Sequence, residues 1–260
     1  MKTIVITGAS SGIGAALARH LGREGHNLVL ASRRAAALNA VAHEVHSHVV
    51  TVSADVTRRS DVNRLCDEAL RAFGVIDVWI NNAGRGITRP VLELTDGEFD
   101  EMMAVNVKSA LYGMQAVVPH FIARGQGHLI NISSFLGRVP IATHRSAYNA
   151  AKAALNALTA NLRVDLAAKY PEIHVSVVMP GLVSTDFARN ALRSASPSAP
   201  PWTPGTAMQP QTAEEVAAAI AGVIEQPVPE LYTNPASAAM ARRYFEDVAA
   251  FEENLRPAGA

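Results

Sequence analysis

Short apolar segments alternate with longer amphipathic segments along most of the chain. The short segments are rich in Val, Ile and Leu on both faces, which is typical of strands buried in a parallel sheet. The longer segments repeat apolar residues every three or four positions, which is typical of helices with one buried face. The pattern predicts an α/β fold with strands at 3–7, 27–31, 48–53, 76–80, 127–133, 173–179 and 230–233.

Helices are predicted between these strands, among others at 35–46, from about 59, at 96–123 and at 212–226. Asn106 lies inside the longest of them, where asparagine is disfavoured unless its side chain is used. The alternative is a bent helix with a hydrated amide. Beyond the last strand, a further apolar stripe at helical spacing is formed by Met240, Tyr244, Val248 and Phe251. The stripe predicts docking onto the same domain, with a subunit contact or a pocket cover as alternatives.

The composition narrows the class of protein. A chain of 260 residues with 49% hydrophobic residues fits one α/β domain. Its net charge of zero argues against nucleic acid or an anionic membrane as the main partner and favours a small ligand. Cys66 is the only cysteine, which agrees with a reducing, cytoplasmic compartment. No segment approaches the roughly 20 apolar residues of a membrane span, so a soluble cytoplasmic protein is expected.

A glycine-rich turn follows the first predicted strand directly. The residues TGASSGIG at 7–14 lead into a helical segment, so the order is strand, glycine turn, helix. The amide groups at a helix N-terminus attract an anion, and the missing Cβ atoms of Gly8, Gly12 and Gly14 allow a pyrophosphate to approach the backbone. The turn therefore predicts a dinucleotide site. A plain turn with close helix packing is the alternative.

Two arginines follow the second strand, at the point where cofactor preference is decided. An acidic residue there would bind a ribose 2′-hydroxyl, whereas an arginine accommodates a 2′-phosphate. No acid occurs between Gly25 and Glu44, while Arg33 and Arg34 offer positive charge. The residues favour the phosphorylated dinucleotide, NADP(H), although NAD(H) is possible and two solvated arginines are the alternative. The nearby histidines lack a completing acid or cysteine, so no metal site is predicted at His43, His46 and His48.

Polar and small residues follow the next two strands at the same predicted sheet edge. Asp55 could accept a hydrogen bond from an adenine amino group or cap the helix that begins near Arg59. The residues Asn81-Asn82-Ala83-Gly84 follow the fourth strand. Small residues there allow a flat ring to lie against the backbone. We therefore expect ligand contacts along this edge.

Tyr148 and Lys152 are four residues apart in a predicted helix. This spacing places both side chains on one helix face, where an ammonium group is expected to lower the pKa of the phenol. Such a pair suits proton exchange near neutral pH. An exposed or half-buried pair without a catalytic role is the alternative.

The combined motifs resemble the short-chain dehydrogenase/reductase family of the classical type. The matching residues, in the family's order, are TGASSGIG at 7–14, NNAG at 81–84, Asn106, the Ser134 loop, YNAAK at 148–152 and PGLVST at 180–185. The resemblance implies a doubly wound Rossmann fold, with a seven-stranded parallel sheet flanked by helices. It also implies one domain over 1–235 with a substrate lid at about 186–212. Residues 236–260 then form a helical C-terminal extension.

The resemblance also implies which residues contact the cofactor. Arg33 would bind the 2′-phosphate, with Arg34 beside it, and Asp55 and Val56 would meet the adenine. The turn and the edge of the sheet would supply Gly8, Ser10, Ser11, Gly12, Ile13, Gly14, Asn82, Ala83 and Gly84. The nicotinamide half would be held by Tyr148, Lys152, Pro180, Gly181, Val183 and Thr185. Ser11 departs from a common NADP-preferring variant with a basic residue there, so the preference for NADP rests largely on Arg33.

Four residues would carry the chemistry that the resemblance implies. Tyr148 would be the general acid or base, and Lys152 would lower its pKa and bind the nicotinamide ribose. Ser134, rather than Ser133, would bind the substrate oxygen. Asn106 would anchor a water that links Lys152 to a proton relay. These roles predict an NADP(H)-dependent oxidoreductase acting on a carbonyl or secondary alcohol.

Two other functions compete with this prediction: an NAD-linked alcohol or steroid dehydrogenase, and a non-catalytic dinucleotide-binding regulatory protein. The resemblance implies a homodimer or homotetramer. The substrate itself has no readable motif. Residues that could line its pocket are His144, Phe187, Leu192 and Trp202.

Overall fold

The computed structural model describes residues 1–185, 187, 191–192 and 209–255. Seven strands form one sheet: β1 Thr3–Thr7, β2 Asn27–Ser32, β3 Val49–Ser53, β4 Val78–Asn81, β5 Gly127–Ile132, β6 Ile173–Met179 and β7 Glu230–Tyr232. The α-helices of the described residues are α1 Gly12–Arg23, α2 Ala35–His43, α3 Arg59–Phe73, α4 Asp96–Met103, α5 Ser109–Arg124, α6 Ser146–Ala167, α7 Ala213–Glu225, α8 Pro235–Glu246 and α9 Val248–Glu253.

All strand pairs are parallel, and the sheet order is β3-β2-β1-β4-β5-β6-β7. The order reverses between β1 and β4, which is where open α/β sheets form a ligand crevice at the carboxyl ends of their strands. This doubly wound sheet confirms the predicted fold class. The bounds predicted for β1 and β6 match those of the structure.

Alternate residues of each strand pack against helices on opposite faces of the sheet. Ile4 and Ile6 of β1 belong to a core with α1, α2 and α7. Val5 between them belongs to the other core, with α3, α5 and α6. Because both faces are covered, the strands are apolar on both sides, as the sequence pattern indicates.

The helix predicted at 96–123 is interrupted. A π-helical turn, Ala104–Lys108, separates α4 from α5 and contains Asn106. Such wider turns release a backbone carbonyl and commonly occur at functional sites. The end predicted for α2 at His46 is also wrong, because the helix ends at His43.

The C-terminal extension forms two helices instead of one. Asp247 has an extended backbone and caps α9 by accepting a hydrogen bond from the Ala250 amide at 2.9 Å. This break turns Val248 away from the predicted stripe, and it is 41% exposed. The other three stripe residues, Met240, Tyr244 and Phe251, pack against a buried cluster. It consists of Phe135, Val139 and Ile141 from the loop after β5 and Ala241 from α8.

Among the described residues, no helix is long and apolar enough to cross a membrane. No group of three His, Cys, Asp or Glu side chains among them is arranged to hold a metal ion. Trp202 and most of the predicted lid, 186–212, lie outside the described residues.

Candidate active site

The glycine turn between β1 and α1 is fastened to the turn after β4. The Thr7 hydroxyl accepts hydrogen bonds from the amides of Asn82 at 3.0 Å and Ala83 at 3.1 Å. The Asn82 side-chain amide donates in return to the carbonyls of Thr7 at 2.8 Å and Gly8 at 3.3 Å. These bonds hold two predicted cofactor-binding segments together where the sheet order reverses. Asn82 therefore shapes the turn through its side chain.

Two glycines of this turn cannot be replaced by larger residues without movement. Gly8 has a φ of +68°, and a Cβ there would lie 2.8 Å from Ala83 Cα. A Cβ on Gly14 would lie 2.5 Å from the Gly8 carbonyl oxygen and from Asn82 Nδ2. Gly12 also has a positive φ, and Ser11 begins the helix without a side-chain cap. The narrow cradle at the start of α1, with free amides, fits a pyrophosphate.

Arg34 reaches across this cradle from the end of β2. Its Nη2 donates to the hydroxyls of Ser11 at 2.6 Å and Ser10 at 3.0 Å. Arg33 beside it is exposed and interacts electrostatically with Asp55. Arg33 and Arg34 therefore place two positive charges beside the cradle, on the side where the adenosine half of the cofactor is expected. Ile13 lies at the start of α1 and packs against the core beneath the cradle.

Asp55 and Val56 follow β3 at the same edge. The Asp55 carboxylate accepts hydrogen bonds from the Thr57 amide at 3.0 Å and hydroxyl at 2.7 Å. Partial burial raises the pKa of Asp55, but the bonds to Thr57 together with the charges of Arg33 and Arg58 outweigh burial and lower that pKa below its usual value. Helix α3 begins after Arg58 without a side-chain cap, so the helix-cap alternative for Asp55 is wrong. Val56 is buried.

The residues after β6 border the other end of the crevice. The Pro180 carbonyl accepts a hydrogen bond from the Phe135 amide at 2.9 Å, joining this segment to the Ser134 loop. Gly181 follows, and Val183 forms a bridge with Gln211. Thr185 lies beside the cradle, since a Cβ on Gly12 would be 3.6 Å from Thr185 Cγ2. The segment 180–185 therefore connects the glycine turn to the catalytic candidates.

Tyr148 and Lys152 are both buried on α6, facing the end of β5. Ser134 interacts with the Tyr148 phenol and lowers its pKa, and the Ser134 hydroxyl accepts a hydrogen bond from the Leu136 amide at 3.1 Å. The Ser133 hydroxyl instead donates to the Lys152 backbone carbonyl at 3.3 Å. Ser134 is thus the serine beside the phenol. Lys152 Nζ donates to the Ile132 carbonyl at 2.8 Å and lies 5.7 Å from the centre of the Tyr148 ring.

The structure contradicts the expectation that Lys152 lowers the pKa of Tyr148. Burial raises the pKa of Tyr148 to about 12, although Ser134 and Arg145 partly oppose this rise. Burial likewise lowers the pKa of Lys152 to about 7. The reason is that removal from water disfavours the charged form of each group. At neutral pH the phenol is therefore protonated and able to donate.

Asn106 is held at the inner side of the π-helical turn. Its side-chain amide donates to the carbonyls of Arg85 at 2.9 Å and Met102 at 3.1 Å, and its oxygen accepts from the Arg85 amide at 3.2 Å. Its oxygen and Lys152 Nζ both border Gly84, at 3.0 and 3.6 Å from where a Cβ would lie. The side chain is buried and used, so the alternative of an exposed amide is wrong.

Phe187 closes the outer side of Tyr148, with ring centres 5.5 Å apart. It belongs to an apolar cluster with Tyr148, Leu192, Ile87 and Met102. The His144 carbonyl accepts from the Arg89 amide at 2.6 Å, and burial lowers the pKa of the half-buried His144 ring. Of the suggested pocket residues, Phe187 and Leu192 are thus brought to Tyr148.

Three residues near the site escaped the sequence reasoning. Arg145 and Gly86 meet beside Tyr148 and Phe187. Gly137 lets the Ser134 loop press against α6, because a Cβ there would lie 2.7 Å from the Lys152 backbone carbon. An arginine three residues before the tyrosine and a glycine three residues after the serine were the only signals available, and neither pattern is specific.

Comparisons with known proteins agree with this geometry. A family model described as "short chain dehydrogenase" matches residues 2–195. An uncharacterized oxidoreductase of Staphylococcus epidermidis is 36% identical over 184 residues, which are 71% of this chain and 79% of that protein. The family model spans the glycine turn, Asn106, Ser134, Tyr148 and Lys152.

Two solved structures share the whole architecture. A short-chain dehydrogenase/reductase from Burkholderia phymatum, in complex with NAD, has a TM-score of 0.81 and 27% identity and covers 96% of this chain and 94% of its own. A short-chain dehydrogenase from Burkholderia cenocepacia, in complex with NADP, has a TM-score of 0.80 and 27% identity and covers 98% of both chains. With the family model matching well over half of its length, the chain belongs to the short-chain dehydrogenase family of oxidoreductases.

Proposed function

We propose that this protein is an NADP(H)-dependent oxidoreductase that interconverts a small carbonyl compound and the corresponding secondary alcohol. The observation that carries the proposal is the buried contact between Tyr148 and Ser134, with Lys152 on the same helix face. A proton donor, a second hydrogen-bonding hydroxyl and an amino group thus converge where a carbonyl oxygen can be bound. The nicotinamide, when bound, supplies or accepts the hydride.

The protein's own residues would handle the proton. A substrate oxygen would accept hydrogen bonds from Ser134 and Tyr148, which stabilise the negative charge that develops on it during reduction. Tyr148 would then transfer its proton to that oxygen as general acid. Its raised pKa keeps it protonated at neutral pH, which suits the direction of reduction. Asn106 and Lys152, which both border Gly84, would hold a water that returns the proton to Tyr148.

The cradle after β1 supports a nicotinamide dinucleotide as the cofactor, and the structural neighbours bind either NAD or NADP. Arg34 supports NADP. It carries positive charge from β2 onto Ser10 and Ser11, and Ser11 is the position at which a common NADP-preferring variant of the family has a basic residue. Arg33 adds a second charge. A 2′-phosphate would be bound between these two guanidinium groups.

The test follows the consumption of NADPH and NADH by the full chain against a panel of aldehydes and ketones, by absorbance. We expect turnover with NADPH. Tyr148→Phe removes the proton donor and nothing else, so kcat should fall by about 100- to 10,000-fold. Binding of NADPH, followed by its fluorescence, should change by less than about threefold if the phenol acts mainly in the chemical step.

Unchanged turnover in Tyr148→Phe would contradict the mechanism. A clear preference for NADH would instead contradict the assignment of Arg33 and Arg34 and point to an NAD-linked enzyme. If the wild type binds NADPH but reduces no carbonyl on the panel, the non-catalytic alternative gains support.

A further inference from the structure

The arginines around the substrate side of the crevice differ in how their charges are compensated. Arg85 forms an ion pair with Glu101 at 2.5 Å. Arg89 pairs with Glu98 at 3.2 Å and Glu93 at 3.5 Å. Among the described residues, the ionisable side chains that interact with Arg145 are Tyr148 and His144, and neither is a carboxylate. Within the described residues, therefore, the charge beside the catalytic tyrosine lacks a counterion.

The guanidinium of Arg145 lies against Gly86 and Phe187, next to Tyr148. A Cβ on Gly86 would be 2.8 Å from Arg145 Nη1 and 2.8 Å from Phe187 Cε1, so these groups meet at one point. The Phe187 ring in turn packs on Tyr148. Among the described residues, Arg145 Nη1 is buried without a hydrogen-bond partner. Buried donors are almost always paired, and leaving one unpaired costs about 1–3 kcal/mol.

We propose that Arg145 binds a carboxylate of the substrate, so that the protein acts on oxo acids and the corresponding hydroxy acids. A carboxylate supplies what the pocket lacks: one negative charge and an acceptor for Nη1–H. Arg145 immediately precedes α6 and Tyr148 is in its first turn. Carboxylate and carbonyl must therefore be separated by few bonds, which favours small oxo acids. The proposal names the substrate class and rests on the function proposed above.

Arg145 would act as a specificity residue through binding. The carboxylate would orient the carbonyl towards Tyr148 and Ser134, and the guanidinium would remain protonated throughout. No bond to the carboxylate forms or breaks. Gly86 has no side chain at the point where Nη1 and the Phe187 ring meet, so a carboxylate that reaches Nη1 would displace the Phe187 ring and leave the backbone in place.

The test compares acids with their neutral methyl esters: pyruvate, acetoacetate and levulinate, each against its ester, with NADPH. The three acids place the carboxylate at increasing distance from the carbonyl. For the best acid, Arg145→Gln should lower kcat/KM by about 10- to 100-fold, mainly through KM, because a charged hydrogen bond is lost. Reduction of the matched ester should change by less than about threefold. Arg145→Lys, which keeps the charge but loses the planar fork, should fall between them.

Arg89→Gln is the matched control, since it removes a neighbouring arginine that already has carboxylate partners. Its ratio of acid to ester reduction should stay within about twofold of the wild type, because the charge of Arg89 is already balanced by Glu93 and Glu98. An equal fall for acid and ester in Arg145→Gln would overturn the proposal and indicate a structural role. The proposal would also be overturned if Arg89→Gln changed the ratio of acid to ester reduction as much as Arg145→Gln does. The preference for acids would then reflect only the overall positive charge around the site.

Calorimetric titration with levulinate, with and without NADP⁺, gives a readout independent of turnover. We expect binding by the wild type and its loss in Arg145→Gln. If the wild type reduces neither acids nor esters but binds levulinate through Arg145, the proposed function fails while the anion site stands. If it reduces esters and neither reduces nor binds any of the acids, the anion site fails while the proposed function stands.

Discussion

The two ends of the crevice differ in how completely the chain satisfies its own polar groups. At the dinucleotide end, Thr7, Asn82 and Ala83 bond to one another, and the Asp55 carboxylate is held by Thr57. At the substrate end, Lys152 and Tyr148 are buried ionisable groups, and Arg145 Nη1 has no partner among the described residues.

The dinucleotide end is therefore shaped by hydrogen bonds within the chain, whereas the substrate end is dominated by buried ionisable groups. Backbone geometry and mutual hydrogen bonds shape the dinucleotide end, so its ligand meets a preformed surface. Burial of charge dominates the substrate end, where it shifts pKa values and leaves a cation to be neutralised. Four predictions, from the largest expected effect to the smallest, test this division.

The first concerns the cost of burying Lys152. Its pKa is about 7 in the folded chain against 10.5 as the ordinary value, so between these pH values the unfolded chain binds one more proton. The unfolding free energy of the wild type should therefore rise with pH across that range, by up to about 1.4 kcal/mol per pH unit from this group. Lys152→Met lacks this contribution, so its unfolding free energy should exceed that of the wild type most clearly near pH 7.

Urea unfolding of both proteins between about pH 7 and pH 10 measures this difference. The stability advantage of Lys152→Met over the wild type should shrink by a few kcal/mol as the pH rises. Lys108→Met removes the exposed lysine that ends the π-helical turn and is the control, with curves parallel to the wild type expected. If the difference between Lys152→Met and wild type does not change with pH, burial does not govern this end.

The second prediction concerns a substitution that distorts the dinucleotide end without changing any charged residue. Gly14→Ala places a Cβ 2.5 Å from the Gly8 carbonyl oxygen, so the turn must move. We expect NADPH affinity to fall by about 100-fold, with a loss of about 1–3 kcal/mol in stability. Fluorescence titration and thermal unfolding measure these effects.

Gly222→Ala in α7 is the matched control, because a Cβ there meets nothing within 4 Å. Alanine is the better helix former, so this variant should gain up to about 1 kcal/mol and bind NADPH normally. Equal effects of the two substitutions would show that the cradle is not tightly shaped.

Much of the dinucleotide end was predictable because its requirements are local. Backbone geometry requires glycines in the turn after β1 and small residues after β4, and such residues can be recognised directly in the sequence. The carboxyl edge then follows from parallel topology, which brings Thr7, Asp55 and Asn82 together whatever their separation along the chain.

The substrate end was less predictable because burial is a property of the assembled structure. Spacing alone suggested that Lys152 would lower the pKa of Tyr148, whereas desolvation of both groups reverses the direction. The π-helical turn around Asn106 and the break at Asp247 depend on packing and capping that periodicity does not encode. Arg145 became notable only once its carboxylate-free surroundings were visible.

The third prediction sharpens the charge pattern at the dinucleotide end. Arg34→Gln removes the cation that bonds to Ser10 and Ser11, and should raise the Kd for NADPH about tenfold while leaving NADH within about twofold. Arg33→Gln should act in the same direction. Arg71→Gln, at an exposed position of α3, is the control. Parallel losses for both cofactors would mean that the arginines support the turn and do not read the 2′-phosphate.

The smallest effect concerns the support beneath the substrate end. Phe251 of α9 stacks edge-on against Tyr244, with ring centres 5.4 Å apart, in the cluster that packs on the loop between Ser134 and Tyr148. Phe251→Ala should cost about 1 kcal/mol of stability and raise KM slightly, because this loop loses apolar support. Phe245 also contacts Tyr244 but is 62% exposed, so Phe245→Ala should stay within about 0.5 kcal/mol. Identical unfolding curves and KM values for the two variants would show that the extension does not support the site.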